Sequence, residues 1–217
     1  MRVGVPTGRL WTHSQDLLRQ LGFDAGEERG RRYAFHRSAG DLEALALKVP
    51  DIPRALADGM IDFAAASDEW LVEHGGNYQS LVPLCWYHVR ICVLAPVDTS
   101  GQTEDTGRPA TVATPYPRLA ARLLPQNFTI RAVTGSVEAY PGRLTDLAVD
   151  CVETGTTAAA NALRPIQELA RCDVRLIAHP ATDLNDPRAR EIIAAAQAIS
   201  ASPQCSYATT PDRTRAS

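Results

Sequence analysis

The sequence predicts an α/β protein built as two domains, and three observations carry that prediction. Short apolar and β-branched runs alternate with stretches of helical periodicity along the chain. A polar stretch rich in Gly, Thr and Asp, residues 96–109, interrupts this alternation as a linker between domains would. An apolar run ending in an acid, residues 147–150, then passes through a second acid and Thr-Gly-Thr-Thr into an Ala-rich segment. That order reads as strand, tight loop and helix start, the ligand-binding geometry of open α/β sheets.

Composition bounds what such a protein can do. The chain has 217 residues, 45% hydrophobic and 22% charged, enough to bury a core as one large or two small domains. A net charge of −3 argues against nucleic acid as the main partner, so phosphates would be met by local positive groups. No apolar run approaches a membrane span, and the opening MRVGVPTGRL lacks the apolar core of a signal peptide. A cytoplasmic protein with no membrane partner is therefore expected. Cys85, Cys92, Cys151, Cys172 and Cys205 show no metal-ligand spacing and mostly sit in apolar runs as small buried thiols. The histidines at 13, 36, 74, 88 and 179 are scattered, and no zinc site is expected.

In chain order, Arg2 to Val5 form a strand, and Pro6-Thr7-Gly8-Arg9-Leu10 turns into a helix whose face is Leu10, Leu17, Leu18 and Leu21 and whose end is Gly22. Residues 26–40 are charged and Gly-punctuated, a hairpin or mobile loop carrying Arg29, Arg31 and Arg32. These arginines are read as solvated, with a contact to triphosphate or pyrophosphate as the alternative. Residues 42–47 are a strand. Lys48-Val49-Pro50-Asp51-Ile52-Pro53 then opens a helix with Asp51 as its cap, and that helix stops at Gly59. Residues 61–66 form the next strand, Ser67 is placed to cap the following helix, and Asp68 and Glu69 make that loop acidic. The apolar run 81–95 is broken by Tyr87, His88 and Arg90. His88 is read as a packing residue. Arg90 is costly to bury alone, so an anion is expected beside it, either a substrate phosphate or a structural carboxylate.

Further along, residues 110–114 are a strand, 118–124 a helix behind Pro115-Tyr116-Pro117, and 130–133 a strand. Thr134-Gly135-Ser136-Val137-Glu138 follows, with Glu138 either a ligand-facing acid or a favourable charge at a helix start. The loop Asp150, Glu153, Thr154, Gly155, Thr156, Thr157 has the features a sugar 5-phosphate needs. Helix-start amides and three hydroxyls are donors, Gly155 lets backbone approach closely, and the two acids suit ribose hydroxyls or a substrate-borne magnesium ion. Residues 158–163 are read as helix, 166–169 and 174–178 as strands, 186–199 as helix, and the tail from 200 as polar and disordered.

This pattern resembles the short form of the ATP phosphoribosyltransferases over roughly residues 1 to 195. The residues that carry the resemblance are Pro6, Gly8, Arg9 and Leu10; Asp51-Ile52-Pro53; Arg90; Thr114, Tyr116 and Pro117; Gly135-Ser136-Val137-Glu138; Pro141, Leu144 and Asp146; and Asp150, Val152, Thr154, Gly155, Thr157 and Asn161. The chain departs from the family at Thr7 and Lys48, where the family has lysine and arginine. It departs again at residues 66–69, where the family has a Gly-Ile-Thr-Gly turn.

The resemblance implies two α/β domains with periplasmic-binding-protein-like (type II) topology and an interdomain cleft. Domain 1 would comprise residues 1–95 plus 175–199, and domain 2, which binds 5-phosphoribosyl-1-pyrophosphate (PRPP), residues 96–174. It implies transfer of phosphoribose from PRPP to N1 of ATP with release of pyrophosphate, magnesium carried by the substrate, and an oligomer with a histidyl-tRNA-synthetase-like subunit. Arg9, Glu138 and Asp150 are the catalytic candidates. Asp150, Glu153, Thr154, Gly155, Thr156 and Thr157 are the PRPP candidates. Gly8, Arg9, Lys48, Ser67, Arg90 and Tyr116 are those for nucleotide and pyrophosphate. Two alternatives stay open: transfer to a different nitrogen nucleophile, and a binding or regulatory subunit without turnover.

Overall fold

The computed structural model describes residues 1–25, 32–37, 40–98 and 108–201. β1 (Arg2–Pro6) is buried beyond Arg2, and a 3-10 turn at Gly8–Leu10 leads into α1 (Trp11–Gln20), which buries Leu17 and Leu18. β2 (Ala34–His36) and β3 (Glu43–Leu47) pair antiparallel; residues 26–31 and 38–39 of the stretch read as hairpin or mobile loop lie outside the described residues. Arg29 and Arg31 lie outside the described residues. Arg32 holds its guanidinium carbon 5.6 Å from the Phe35 ring centroid.

A 3-10 turn at Val49–Asp51 precedes α2 (Ile52–Ala57) and corrects the assignment of Asp51 as a cap. Asp51 has helical dihedrals (φ −84°, ψ −21°), and its side chain makes no capping bond. A cap needs an extended residue from which the side chain reaches back, and the 3-10 turn supplies none. β4 (Phe63–Ser67), buried throughout, runs directly into α3 (Asp68–His74). Asp68 and Glu69 are thus the first turn of a helix and not loop residues, and their charge opposes the positive end of its dipole.

β5 (Gln79–Pro83) and β6 (Val89–Pro96) split the long apolar run. β7 (Ala110–Thr114), α4 (Pro117–Leu123), β8 (Phe128–Ala132) and β9 (Leu147–Val152) follow. α5 (Thr156–Ala160) is shorter and earlier than the expected 158–163, because Ala162 takes φ +55° and β10 (Leu163–Cys172) begins at once. β11 (Val174–Ala178) and α6 (Pro187–Ser200) complete the described chain, with the Asp186 carboxylate accepting from the Arg188 amide at 2.8 Å as the α6 cap. The tail from residue 202 lies outside the described residues.

The chain forms two compact units. One comprises Met1–Ser67, Gly76–Tyr87 and the chain from Asp173 onward; the other comprises Asp68–Gly75 and His88–Cys172. Whereas the sequence divides the chain at 95 and 174, β6 here falls wholly in the second unit because it is laddered to both β9 and β10. α3 falls there too: Glu73 accepts hydrogen bonds from the Arg118 and Leu119 amides at 2.8 and 3.0 Å, which ties α3 to the start of α4.

Unit 1 is a six-stranded sheet in the order β2-β3-β1-β4-β11-β5, with β1, β3 and β4 parallel. Unit 2 is a five-stranded sheet in the order β10-β6-β9-β7-β8, with β7, β8 and β9 parallel. Its core packs Cys92 and Leu94 with Ala113, Ala148 and Val152, and Val137, Ala158 and Leu163 join them.

Asp146 pins β7 beside β9. Its carboxylate accepts from Thr111 N and Thr111 Oγ1, each at 2.7 Å, and from both terminal nitrogens of Arg108 at 2.9 and 2.8 Å. The Arg108 guanidinium holds this carboxyl well below the ordinary value of 3.8. A lowered folded pKa contributes stability that is fully present above the ordinary carboxylate range and is lost progressively as pH falls below that range towards the depressed folded value. Asp146→Asn is expected to cost about 2 kcal/mol at neutral pH. In urea melts the gap between the two proteins should close as the pH is taken below about 4.

Candidate functional site

The site in unit 2 grows from one edge of its sheet. β7, β8 and β9 are parallel, so the segments after their carboxyl ends emerge together, the usual place for ligands in open α/β sheets. Residues 153–155 leave β9 and enter α5 through Gly155, whose φ of +81° lies in the left-handed region. A Cβ there would meet nothing closer than Val152 Cγ1 at 3.8 Å, so backbone angle and not crowding makes the position a glycine. Thr154 Oγ1 and Thr156 Oγ1 lie 2.9 Å apart, and the Thr156 amide approaches Thr154 Oγ1 at 3.4 Å. Glu153, Thr154, Thr156 and Thr157 are exposed, and no side chain caps the start of α5. Asn161 Nδ2 donates to Thr157 O at 2.9 Å and closes the far end of this short helix.

Asp150 is half-buried, and its Oδ1 accepts from the Cys151 amide at 2.7 Å. The β6–β9 register sets it opposite Cys92, on the face of the sheet that α5 covers with Ala158. Glu138 is half-buried in a 3-10 turn, Val137–Ala139, whose Val137 belongs to the same core as Ala158 and Val152. Glu138, Asp150 and residues 153–157 therefore converge at the carboxyl edge of one sheet.

The other candidates in unit 2 behave differently. Tyr116 is 3% exposed, and its ring centroid is 4.9 Å from that of Trp70. Burial pushes its phenol well above the ordinary range, and it is a packing residue. Arg90 has a carboxylate neighbour, Glu168, whose Oε2 is 3.9 Å from Arg90 Nη1, so of the two anions expected beside it the structural one is present. His88, expected to pack, is exposed. Cys92 and Cys172 are buried and Cys151 partly so; burial pushes the Cys92 thiol up.

Unit 1 also gathers residues at the carboxyl ends of its parallel strands. Gly8, with φ +74° and open space around it, and exposed Arg9 follow β1; exposed Lys48 follows β3. Ser67 ends β4, 1% exposed, and its Oγ has no hydrogen-bond partner among the described residues, which corrects its reading as a helix cap. Its place in the ladder opposite Val174 turns it inward, and α3 starts without it.

Sequence reasoning missed the aromatic support of this edge. Tyr87 lies beneath Arg9, with the guanidinium carbon 4.9 Å from the ring centroid, and Trp86 stacks on His13 with centroids 5.7 Å apart. The signal was present in the sequence as two large aromatics interrupting a strand-like run. Among the described residues, no group of three or more His, Cys, Asp or Glu could hold a metal ion, and no helix is long and apolar enough to cross a membrane.

A family model for HisG, ATP phosphoribosyltransferase, matches residues 48–199. An ATP phosphoribosyltransferase from Methanopyrus kandleri is 31% identical over 83% of this chain, which spans 66% of that protein. One from Rubrobacter xylanophilus is 32% identical over 82% of this chain and 86% of its own length. Among solved structures, the ATP phosphoribosyl transferase (HisG:HisZ) complex from Thermotoga maritima superposes with a TM-score of 0.77 at 21% identity, covering 92% of this chain and 97% of that one. The alkanesulfonate-binding protein SsuA from Xanthomonas axonopodis pv. citri gives a TM-score of 0.57 at 11% identity, covering 92% of this chain and 72% of that one, which places the fold among periplasmic-binding-protein-like architectures. The chain belongs to the ATP phosphoribosyltransferase family, the pentosyltransferases of histidine biosynthesis.

Proposed function

We propose that residues 153–157 are the PRPP loop of a catalytic subunit that transfers phosphoribose to N1 of ATP. The observation that carries this reading is the left-handed Gly155 between two exposed threonines, at the carboxyl end of β9 and inside the span that the family model matches. Thr154, Thr156, Thr157 and the amides opening α5 receive the 5-phosphate. Asp150 and Glu153 take the ribose hydroxyls, and Glu138 supplies a further polar contact. Magnesium arrives with the polyphosphate substrate and, when bound, neutralises charge on pyrophosphate; the carboxylates of Asp150 and Glu153 are oxygen donors of the kind it accepts.

In the reaction the N1 lone pair of adenine bonds to ribose carbon 1 as the bond from that carbon to pyrophosphate oxygen breaks, and the electron pair leaves with pyrophosphate. The protein's part is to position both groups and stabilise the leaving charge. Arg9, held over Tyr87, and Lys48 are the cations of unit 1 assigned to nucleotide and pyrophosphate, with Gly8 leaving their turn open and Ser67 a hydroxyl at the same edge. Arg90 is the corresponding cation of unit 2. The family resemblance implies a cytoplasmic oligomer with a synthetase-like partner, and the two-component HisG:HisZ complex supports a partner subunit.

The test is pyrophosphate release from PRPP and magnesium with ATP, and with a panel of purines and heterocyclic amines, each with and without a synthetase-like subunit. Release with ATP is expected. Release only with another acceptor would make the chain a transferase of different specificity. PRPP binding with no release in any arm would overturn the catalytic reading.

A further inference from the structure

We propose that Arg171, with Arg90 and Glu168, forms an anion subsite on unit 2 that takes a pyrophosphate-class group, Glu168 being the internal counter-ion that the ligand displaces. This rests on the PRPP reading above and extends it to two residues of β10 that the sequence did not single out.

The first observation is a like-charge pair. In the antiparallel β6–β10 ladder Arg171 stands directly opposite Arg90, an arrangement that destabilises a sheet unless something negative lies between. One carboxylate does. Glu168 Oε1 accepts from Arg171 Nε at 2.7 Å, while Glu168 Oε2 stays 3.9 Å from Arg90 Nη1, beyond hydrogen-bond reach. The Arg90 side chain, 41% exposed, makes no hydrogen bond among the described residues. Two guanidinium forks with one glutamate leave a net positive charge and free donors.

The second observation is how the chain achieves this. Residues 168 and 171 are three apart and in a regular strand would point to opposite faces. The ladder slips between Glu168 and Ala170, so Glu168 stands opposite Cys92 and Arg171 opposite Arg90, two positions on one face of β6. Re-aiming a side chain is what a β-bulge does, and bulges concentrate beside functional sites.

The third is location. On its other side Arg90 stands opposite Val152, the last residue of β9, and the next residue, Glu153, opens the proposed PRPP loop. Arg171, Arg90 and Val152 thus form one row across three strands, ending where that loop begins. A diphosphate oxygen can accept from a planar guanidinium in two-pronged fashion, which a single glutamate shared by two arginines does not satisfy.

The test is calorimetric titration of the full chain with inorganic pyrophosphate. Arg90→Gln and Arg171→Gln should each weaken binding about tenfold, Arg171→Lys should fall between, and Glu168→Gln should tighten it about threefold by removing the competing charge. Unchanged affinity in Arg171→Gln, or weaker binding in Glu168→Gln, would overturn the subsite; thermal melts of each variant separate either result from unfolding. If pyrophosphate binds as expected but PRPP and ATP give no turnover, the subsite stands and the catalytic reading falls. Turnover with pyrophosphate binding indifferent to Arg171 shows the reverse.

Discussion

Asp150→Asn is expected to slow pyrophosphate release by on the order of 10²-fold while leaving the protein folded. The asparagine keeps an oxygen for the Cys151 amide, which the Asp150 carboxylate accepts at 2.7 Å, so the local backbone bond survives and only the charge is removed. That charge lies at the edge where the loop leaves β9, and in the proposed mechanism it holds ribose hydroxyls as positive character develops on the ring. An interaction that strengthens in the transition state lowers kcat and kcat/KM together when it is lost, whereas uniform binding would show in KM alone. Glu153→Gln, altering an exposed acid, should have a smaller effect. Steady-state kinetics with PRPP varied at saturating ATP reads the difference. An Asp150→Asn enzyme within threefold of the wild type would remove Asp150 from the site.

The features legible in the sequence were those set by local chemistry. An apolar run followed by a glycine between threonines reads as strand, tight loop and helix start, and residues 153–157 form that loop. The glycine, expected for close backbone approach, is required instead by its φ of +81°. The helix read over 186–199 from its apolar face is observed as α6, and the structure adds its Asp186 cap. Partnerships between distant segments were not legible. Nothing near Arg90 in sequence points to Glu168, which is brought alongside by a ladder containing two register slips. Likewise Tyr87 becomes the platform for Arg9 only after the segment following β5 returns to the carboxyl end of β1. Ser67 shows the converse: its local sequence fits a cap, but pairing with Val174 fixes it in the sheet and buries its hydroxyl. Tyr116, matched to a family motif by type and position, is packed against Trp70, which its neighbours in sequence do not predict.

Glu73→Ala should cause the largest loss of stability of any single substitution considered, about 2–4 kcal/mol. Glu73 is 7% exposed and sits in the last turn of α3, yet it works for α4. α4 opens with Pro117 behind Tyr116, whose side chain makes no capping bond, so the first amides of the helix have no local acceptor. Glu73 Oε2 accepts from two of them, Arg118 N and Leu119 N. Its charge also opposes the positive end of the α4 dipole. The Arg118 guanidinium reaches back to His74 O at 2.8 Å, so the last turn of α3 and the first of α4 satisfy each other's orphan groups. Truncation to alanine strips the acceptor from two amides, one fully and one partly buried, and opens space against α4. Glu73→Gln retains one oxygen and should lose only about 1 kcal/mol, mostly the charge. Urea denaturation of the three proteins distinguishes these costs. Equal stability of Glu73→Ala and wild type would mean that solvent reaches the start of α4 and that the Trp70–Tyr116 contact alone holds α3 in place.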